Sequence, residues 1–202
     1  RLHEVMGGVR RVVTTREGGV SVAPYDSFNL GDHVGDDPQA VAANRSRLAR
    51  HVGLPDERVV WMEQIHSPTI TVVDGPVDGP VPATDGLVTA APNLALAVLT
   101  ADCVPVLLSD DEAGVIGAVH AGRIGARNGI VAEALRVMVG LGADPARISA
   151  LLGPAASGHL YEVPPDMARD VEARLPGSMC RTGANTIGLD LRAGITRQLA
   201  AA

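Results

Sequence analysis

Leu99 to Arg123 reads L-T-A-D-C-V-P-V-L-L-S-D-D-E-A-G-V-I-G-A-V-H-A-G-R, and its punctuation decides the fold. An apolar run, Leu94 to Leu99, leads into Asp102-Cys103. A second run, Val104 to Leu108, is followed by Asp110-Asp111-Glu112-Ala113-Gly114, a turn. A third, Val115 to Val119, ends at His120. Short β-branched runs closed by turn residues are the pattern of buried strands. Asp102, Cys103 and His120 therefore fall at strand ends or breaks, where a fold displays chemistry. Side chains alternate along a strand, so Cys103 is expected to face away from Asp102.

Outward from this stretch the chain alternates between strand and helix signals. Val9 to Thr15 reads as a first strand, closed by the glycine turn Arg16-Glu17-Gly18-Gly19. Val20 to Asp37 has no periodicity, and a connection of that length is either functional or poorly ordered. Asp37 can cap a helix that Pro38 opens, with Val41, Leu48 and Val52 on its apolar side and Gly53 at its end. Val59 to Gln64 reads as a strand whose period carries on to His66. Ile70 to Val73 and Leu87 to Thr89 are further strands, separated by the Gly/Pro-rich segment 74–82 and the turn Thr84-Asp85-Gly86. Gly125 to Leu141 reads as one helix with Ile130, Leu135, Met138 and Leu141 inward. Ile148 to Leu152 is read as a buried strand, and Pro165 to Leu175 as a helix. Thr186 to Leu189 precedes a last helix capped by Asp190 and running to Leu199. The expected fold is α/β (α+β): a single-domain sandwich of mixed β-sheets flanked by helices, over residues 1–202.

Composition narrows the function classes. The chain has 202 residues, 46% of them hydrophobic, enough for one substantial core. Net charge is −6, and all 17 basic residues are arginines, dispersed along the sequence. An acidic chain without a basic cluster argues against nucleic acid as a partner, and four aromatics give no stacking platform. Two distant cysteines, Cys103 and Cys180, favour a reducing compartment over a secreted disulfide framework. Charged residues and Pro92-Asn93 interrupt the longest apolar region, so no membrane span is expected, and Arg1-Leu2-His3-Glu4 does not open a signal peptide. The expected location is the cytoplasm.

His66, Cys103 and His120 each follow an expected strand. Two imidazoles and a thiolate suit Zn²⁺, whose catalytic sites use three protein ligands and leave a fourth position open. Gaps of 37 and 17 residues match no compact zinc signature, so a buried cysteine with two satisfied histidines stands beside that reading. Arg16 offers planar donors for phosphate, or for a surface ion pair. Asn29 and Gln64 suit a purine or ribose edge, or else cap a loop and satisfy the core. Asp102 suits a carboxylate that orients a ligand histidine or acts as a base. His33 and Arg45 read as loop and helix structure.

Several segments together resemble one family. They are Thr15-Arg16-x-Gly-Gly-Val-Ser-x-x-Pro-Tyr-x-Ser-Phe-Asn-Leu, His33-Val-Gly-Asp-Asp, Asn44-Arg45, Gln64-x-His66, Ala83-Thr-Asp-Gly-Leu-Val, Thr100-Ala-Asp-Cys-Val-Pro, His120-Ala-Gly and Tyr161-Glu-Val. The family is variously labelled polyphenol oxidase (laccase domain), peptidoglycan editing factor, and purine nucleoside phosphorylase with adenosine deaminase activity. The resemblance implies sheets covered by helices, with zinc held by His66, Cys103 and His120. Three departures stand out. Arg123 follows His-Ala-Gly where many members have Trp, residues 155–159 lack cysteines common in relatives, and Ala202 precedes an Arg-rich segment the family carries.

The resulting expectation is a zinc-dependent enzyme on purine nucleosides, phosphorolysing adenosine or inosine and deaminating adenosine, with phosphate held by Arg16 and Arg123. The zinc-deaminase signature is absent, so deamination needs another layout. A multicopper laccase needs more imidazoles than six histidines without a His-x-His pair supply, although two His and one Cys suit a single Cu²⁺ centre. A hydrolase with Cys103 as nucleophile and His120 as base, and a non-enzymatic module holding structural zinc, are the other classes.

Overall fold

The computed structural model describes residues 3–5 and 8–202, with side chains from Gly8 onward; Arg1 and Leu2 of the N-terminal reading lie outside the described residues. Among the described residues the strands are β1 (His3–Val5), β2 (Arg11–Val13), β3 (Val59–Val60), β4 (Ile70–Val72), β5 (Gly86–Thr89), β6 (Ala95–Leu96), β7 (Val104–Asp110), β8 (Val115–Ala121), β9 (Ser149–Leu152), β10 (Met179–Arg181) and β11 (Ile187–Leu189). The helices are α1 (Pro38–Val52), α2 (Arg123–Arg127), α3 (Ile130–Gly140), α4 (Pro165–Arg174) and α5 (Leu191–Ala201). The result is a mixed α/β fold with sheets flanked by helices, as the patterning implies.

The central sheet has the order β4-β5-β8-β7-β9, antiparallel except for the β4–β5 pair. The stretch from Leu99 to Arg123 supplies its middle hairpin, closed at Gly114 in the left-handed region (φ 67°). Alternation then sorts the residues. Val104, Val106 and Leu108 of β7 and Val115, Val119 and Ala121 of β8 face a core with Ile130, Val131, Ala134 and Met138 of α3, and with residues of α4 and α5. Fully burying such an aliphatic side chain contributes roughly 1.5–3 kcal/mol. The opposite face, with Pro105, Leu107, Ile116, Ala118 and His120, borders a cavity. On β5, Val88 joins the helix-side core while Leu87 joins a smaller one with Val60, Met62, Val73, Val81 and Leu94.

Local signals that close within a turn behave as read. Asp37 accepts from the Gln39 N–H at 2.9 Å to start α1, and Gly53 ends it at φ 75°. Asp190 caps α5 through the Ala193 N–H. Other expectations change. The helix expected over Gly125–Leu141 breaks at Asn128-Gly129, where Gly129 takes φ 86°, and Leu141 is exposed beyond the end of α3. Strand β9 is a half-exposed edge, not a buried strand. The Leu94–Leu99 run keeps only two residues in β6, and β10 was not expected. No described helix is long and apolar enough to cross a membrane.

Candidate metal centre

The strand expected to carry His66 stops well before it. β3 ends at Val60, and the chain turns so that His66 sits at φ 62°, a left-handed conformation uncommon for a side-chain-bearing residue. The cause is Asp85, fully buried just before β5. Its Oδ1 accepts from the Ile65 N–H (3.0 Å) and from the Ser67 N–H and hydroxyl (both 2.9 Å). Its Oδ2 accepts from the His66 N–H (2.9 Å). Successive backbone N–H groups converging on one carboxylate form an anion-binding nest, and here the anion is the protein's own.

The same carboxylate reaches across the sheet. The register pairs Gly86 with Val119, which puts Asp85 opposite His120, and the His120 N–H donates to the Asp85 carbonyl at 2.7 Å. Asp85 Oδ2 also lies 2.8 Å from His120 Nδ1. A carboxylate at Nδ1 assigns the proton to that nitrogen and leaves the Nε2 lone pair free to bind a ligand. Burial pushes the His120 imidazole pKa down, opposed by Asp85. Burial alone would raise the Asp85 carboxyl, but the bonds from His120, Ser67 and Ile65 outweigh it and hold it below its ordinary value.

Cys103 enters from the other side, one residue before β7. Its Sγ is 3.8 Å from His66 Nε2, and the His66 and His120 rings meet edge to face with centroids 4.8 Å apart. One ligand atom from each of His66, Cys103 and His120 lies within 4.8 Å of the others. Ligand bonds of zinc length at tetrahedral angles place sulfur and nitrogen about 3.6 Å apart, so the observed spacing fits an ion between them. The group can hold a metal ion. Burial raises the Cys103 thiol, and Asp102 and Asp85 raise it further. Gly122 leaves the room: a Cβ there would stand 3.0 Å from His66 Cδ2 and 3.1 Å from Cys103 Sγ.

Asp102 is not the carboxylate that orients a histidine. It precedes β7 with φ 76° in a bend, so strand alternation does not govern it, and its carbonyl accepts from the Ala156 N–H. That orienting place belongs to Asp85, which sequence reasoning passed over as a turn residue. Its signal was present in the Thr84-Asp85-Gly86 turn leading into β5, which pairs antiparallel with the strand that carries His120. Asp102 lines the cavity instead.

The other expected residues divide. Gln64 donates to the Leu99 carbonyl and accepts from the Leu99 N–H, both at 2.8 Å, and so ties the segment before His66 to the segment before Cys103. Asn29 spends its amide on Gly31 and Asp36. Arg16 is exposed on the cavity rim, its guanidinium resting, among the described residues, on the Asp26 carbonyl (3.2–3.4 Å). Arg123 opens α2, is not among the cavity-lining residues, and acts on the Asp170 carboxylate of α4, which Arg127 holds most strongly. Arg45 stacks 3.9 Å over Trp61 and donates to the Leu30 carbonyl, in keeping with a structural reading. The cavity these residues border has a volume of about 1430 Å³.

Comparison with known proteins agrees with this architecture. A family model described as multi-copper polyphenol oxidoreductase laccase matches residues 10–202. A Corynebacterium glutamicum protein named purine nucleoside phosphorylase is 68% identical over 193 residues, 95% of this chain and 78% of its own length. One of the same name from Streptomyces griseus is 52% identical, covering 100% of this chain and 82% of its own length. The crystal structure of a Neisseria meningitidis protein of family DUF152 superposes with a TM-score of 0.84 at 32% identity, over 99% of this chain and 83% of that one. YlmD from Geobacillus stearothermophilus superposes at 0.87 with 33% identity, over 94% and 75% of the two chains. With a match over nearly its whole length, the chain belongs to the multi-copper polyphenol oxidoreductase laccase family.

Proposed function

We propose that this chain is a zinc-dependent enzyme that phosphorolyses purine nucleosides, adenosine or inosine, in the cytoplasm. The observation that carries the metal part is the convergence of His66, Cys103 and His120 on one wall of a cavity, with His120 already oriented by Asp85. Three donors without a fourth protein ligand among the described residues are the pattern of a catalytic zinc site rather than a structural one. The substrate class comes from the relatives named purine nucleoside phosphorylase. Two free thiols suit a reducing compartment.

A bound zinc ion would supply Lewis acidity at an open coordination position. The chain's own residues do the rest. His66, Cys103 and His120 would hold the ion, and Asp85 keeps the His120 proton on Nδ1, away from it. Arg16 presents a guanidinium without a carboxylate partner among the described residues, suited to an incoming phosphate. In phosphorolysis a phosphate oxygen bonds to the ribose anomeric carbon as the bond to the base nitrogen breaks. The electron pair leaves with the base, which takes up a proton. Asp102, at the cavity wall, offers a carboxylate for proton transfer.

Metal analysis of the purified protein, combined with product analysis after incubation with adenosine, inosine and phosphate, tests the proposal. About one zinc per chain with phosphate-dependent release of free base and ribose 1-phosphate is expected. Inosine from adenosine would reveal the deamination as well. Blue absorbance with copper in place of zinc would return the oxidase reading. Base release that persists with the metal stripped would return a Cys103 nucleophile with His120 as base, their ligand atoms within 4.8 Å of one another in the cluster.

A further inference from the structure

Asp85 is completely buried, yet among the described residues no arginine pairs with it; the side chain facing it is the His120 imidazole, 2.8 Å away. A buried carboxylate is costly unless its charge is met by donors and by a cation. The donors are the three consecutive N–H groups of Ile65, His66 and Ser67, the Ser67 hydroxyl and the His120 ring. The backbone N–H of His66 and the ring Nδ1–H of His120 share one acceptor, Oδ2, at 2.9 and 2.8 Å. A residue other than glycine at φ 62° persists only where its surroundings over-determine it, and at His66 the nest around Asp85 does so.

We propose that Asp85 is a positioning residue that sets both imidazoles of the cluster at once, so that the spacing of His66 and His120 is fixed before an ion arrives. This rests on the metal-site reading above. Through Nδ1–H the carboxylate makes the His120 Nε2 a stronger donor. Through the backbone it holds His66 in the left-handed conformation in which its ring lies 3.8 Å from Cys103 Sγ. A cation beyond His120 is the counter-charge that the buried carboxylate otherwise lacks. A carboxylate serving only to hold the 65–67 turn would leave the His120 ring unaffected by its removal.

The test uses the metal-free protein with ¹⁵N-labelled histidines, comparing wild type, Asp85→Asn and Ser67→Ala, and then titrates each with zinc against a competing chelator. Asparagine keeps the volume of Asp85 but turns an NH₂ towards backbone donors, so it disrupts the nest. In wild type the His120 proton is expected on Nδ1, with Nε2 unprotonated. Asp85→Asn is expected to shift the ring resonances of both His66 and His120, and to weaken zinc binding roughly 10- to 100-fold. Ser67→Ala removes one hydroxyl donor and should weaken zinc by less. A wild-type His120 carrying its proton on Nε2 overturns the proposal even if Asp85→Asn fails to fold. So does an Asp85→Asn protein with His66 resonances and zinc affinity unchanged. Zinc refused by wild type, with the tautomer and the coupled shifts as expected, would overturn the metal reading while upholding the positioning of both rings by Asp85.

Discussion

Asp85 and Asn44 are both fully buried, and each knits irregular chain to a regular element beside the cavity. Asn44, on α1, accepts from the Val20 N–H and donates to Ser21 Oγ and the Ser27 and Asn29 carbonyls, which pins the long 20–36 loop. Its neutral amide is satisfied wholly within the loop and ends there. Asp85 brings a charge into the interior, satisfies it with five hydrogen bonds, and passes its effect to an imidazole that faces the cavity. A buried amide builds a wall, whereas a buried carboxylate tunes a reactive group. The loop should therefore be a matter of stability and the nest a matter of metal affinity.

The largest expected effect breaks the loop side. Asn44→Ala removes the four hydrogen bonds that hold the loop to α1 and should cost about 2–4 kcal/mol, read from the denaturant midpoint. Zinc affinity of the folded fraction should not move, and a parallel loss of affinity would show the two regions to be one unit. Gly122→Ala acts on the other side. Its Cβ would press on His66 and Cys103, so zinc affinity should fall about tenfold while stability changes by only about 1 kcal/mol.

A second buried carboxylate sharpens the contrast. Asp110, at the far end of β7, is met by the Arg147 guanidinium and by the N–H groups of Asp144, Ala113 and Glu112, which hold its pKa at about 2. An ordinary aspartate titrates near 3.9, so roughly, its contribution is complete above about pH 4 and is lost as the pH falls through about 2. Asp110→Asn should flatten the decline of stability across that window, measured by denaturant midpoints at stepped pH. The smallest effect is expected at the rim. Arg16→Ala should raise the phosphate concentration giving half-maximal rate by about fivefold, with zinc content and saturated rate unchanged.

The sequence was most legible where cause and effect lie within one turn. The Asp37 and Asp190 caps, the Gly53 stop and the hairpin through Gly114 all satisfy their backbone groups locally. The starts of β7 at Val104 and β8 at Val115 are legible for the same reason, and with the first the position of Cys103, while β8 runs past His120 to Ala121. Asp85 was not, because its ring partner lies 35 residues away and only the β5–β8 register joins them. Asp102 suits that part by residue type and by its place beside Cys103, but the chain bends there at φ 76°, with the Thr100 hydroxyl donating to the Cys103 carbonyl at 2.5 Å. The break between α2 and α3 had its signal in Asn128-Gly129, overridden by the apolar period on either side. The direction of Arg123 depends on α4, which no local pattern places beside it.

The central claim is that base release depends on the metal held by His66, Cys103 and His120. It is tested most directly by assaying phosphate-dependent release of base from inosine and adenosine, alongside zinc content, in wild type, Cys103→Ala and His120→Ala matched for folding by circular dichroism. Wild type should hold about one zinc per chain and release base with ribose 1-phosphate, and both variants should lose stoichiometric zinc and fall by at least about 10²-fold in rate. Equal release by wild type and either variant, or full zinc retained by Cys103→Ala, would contradict it.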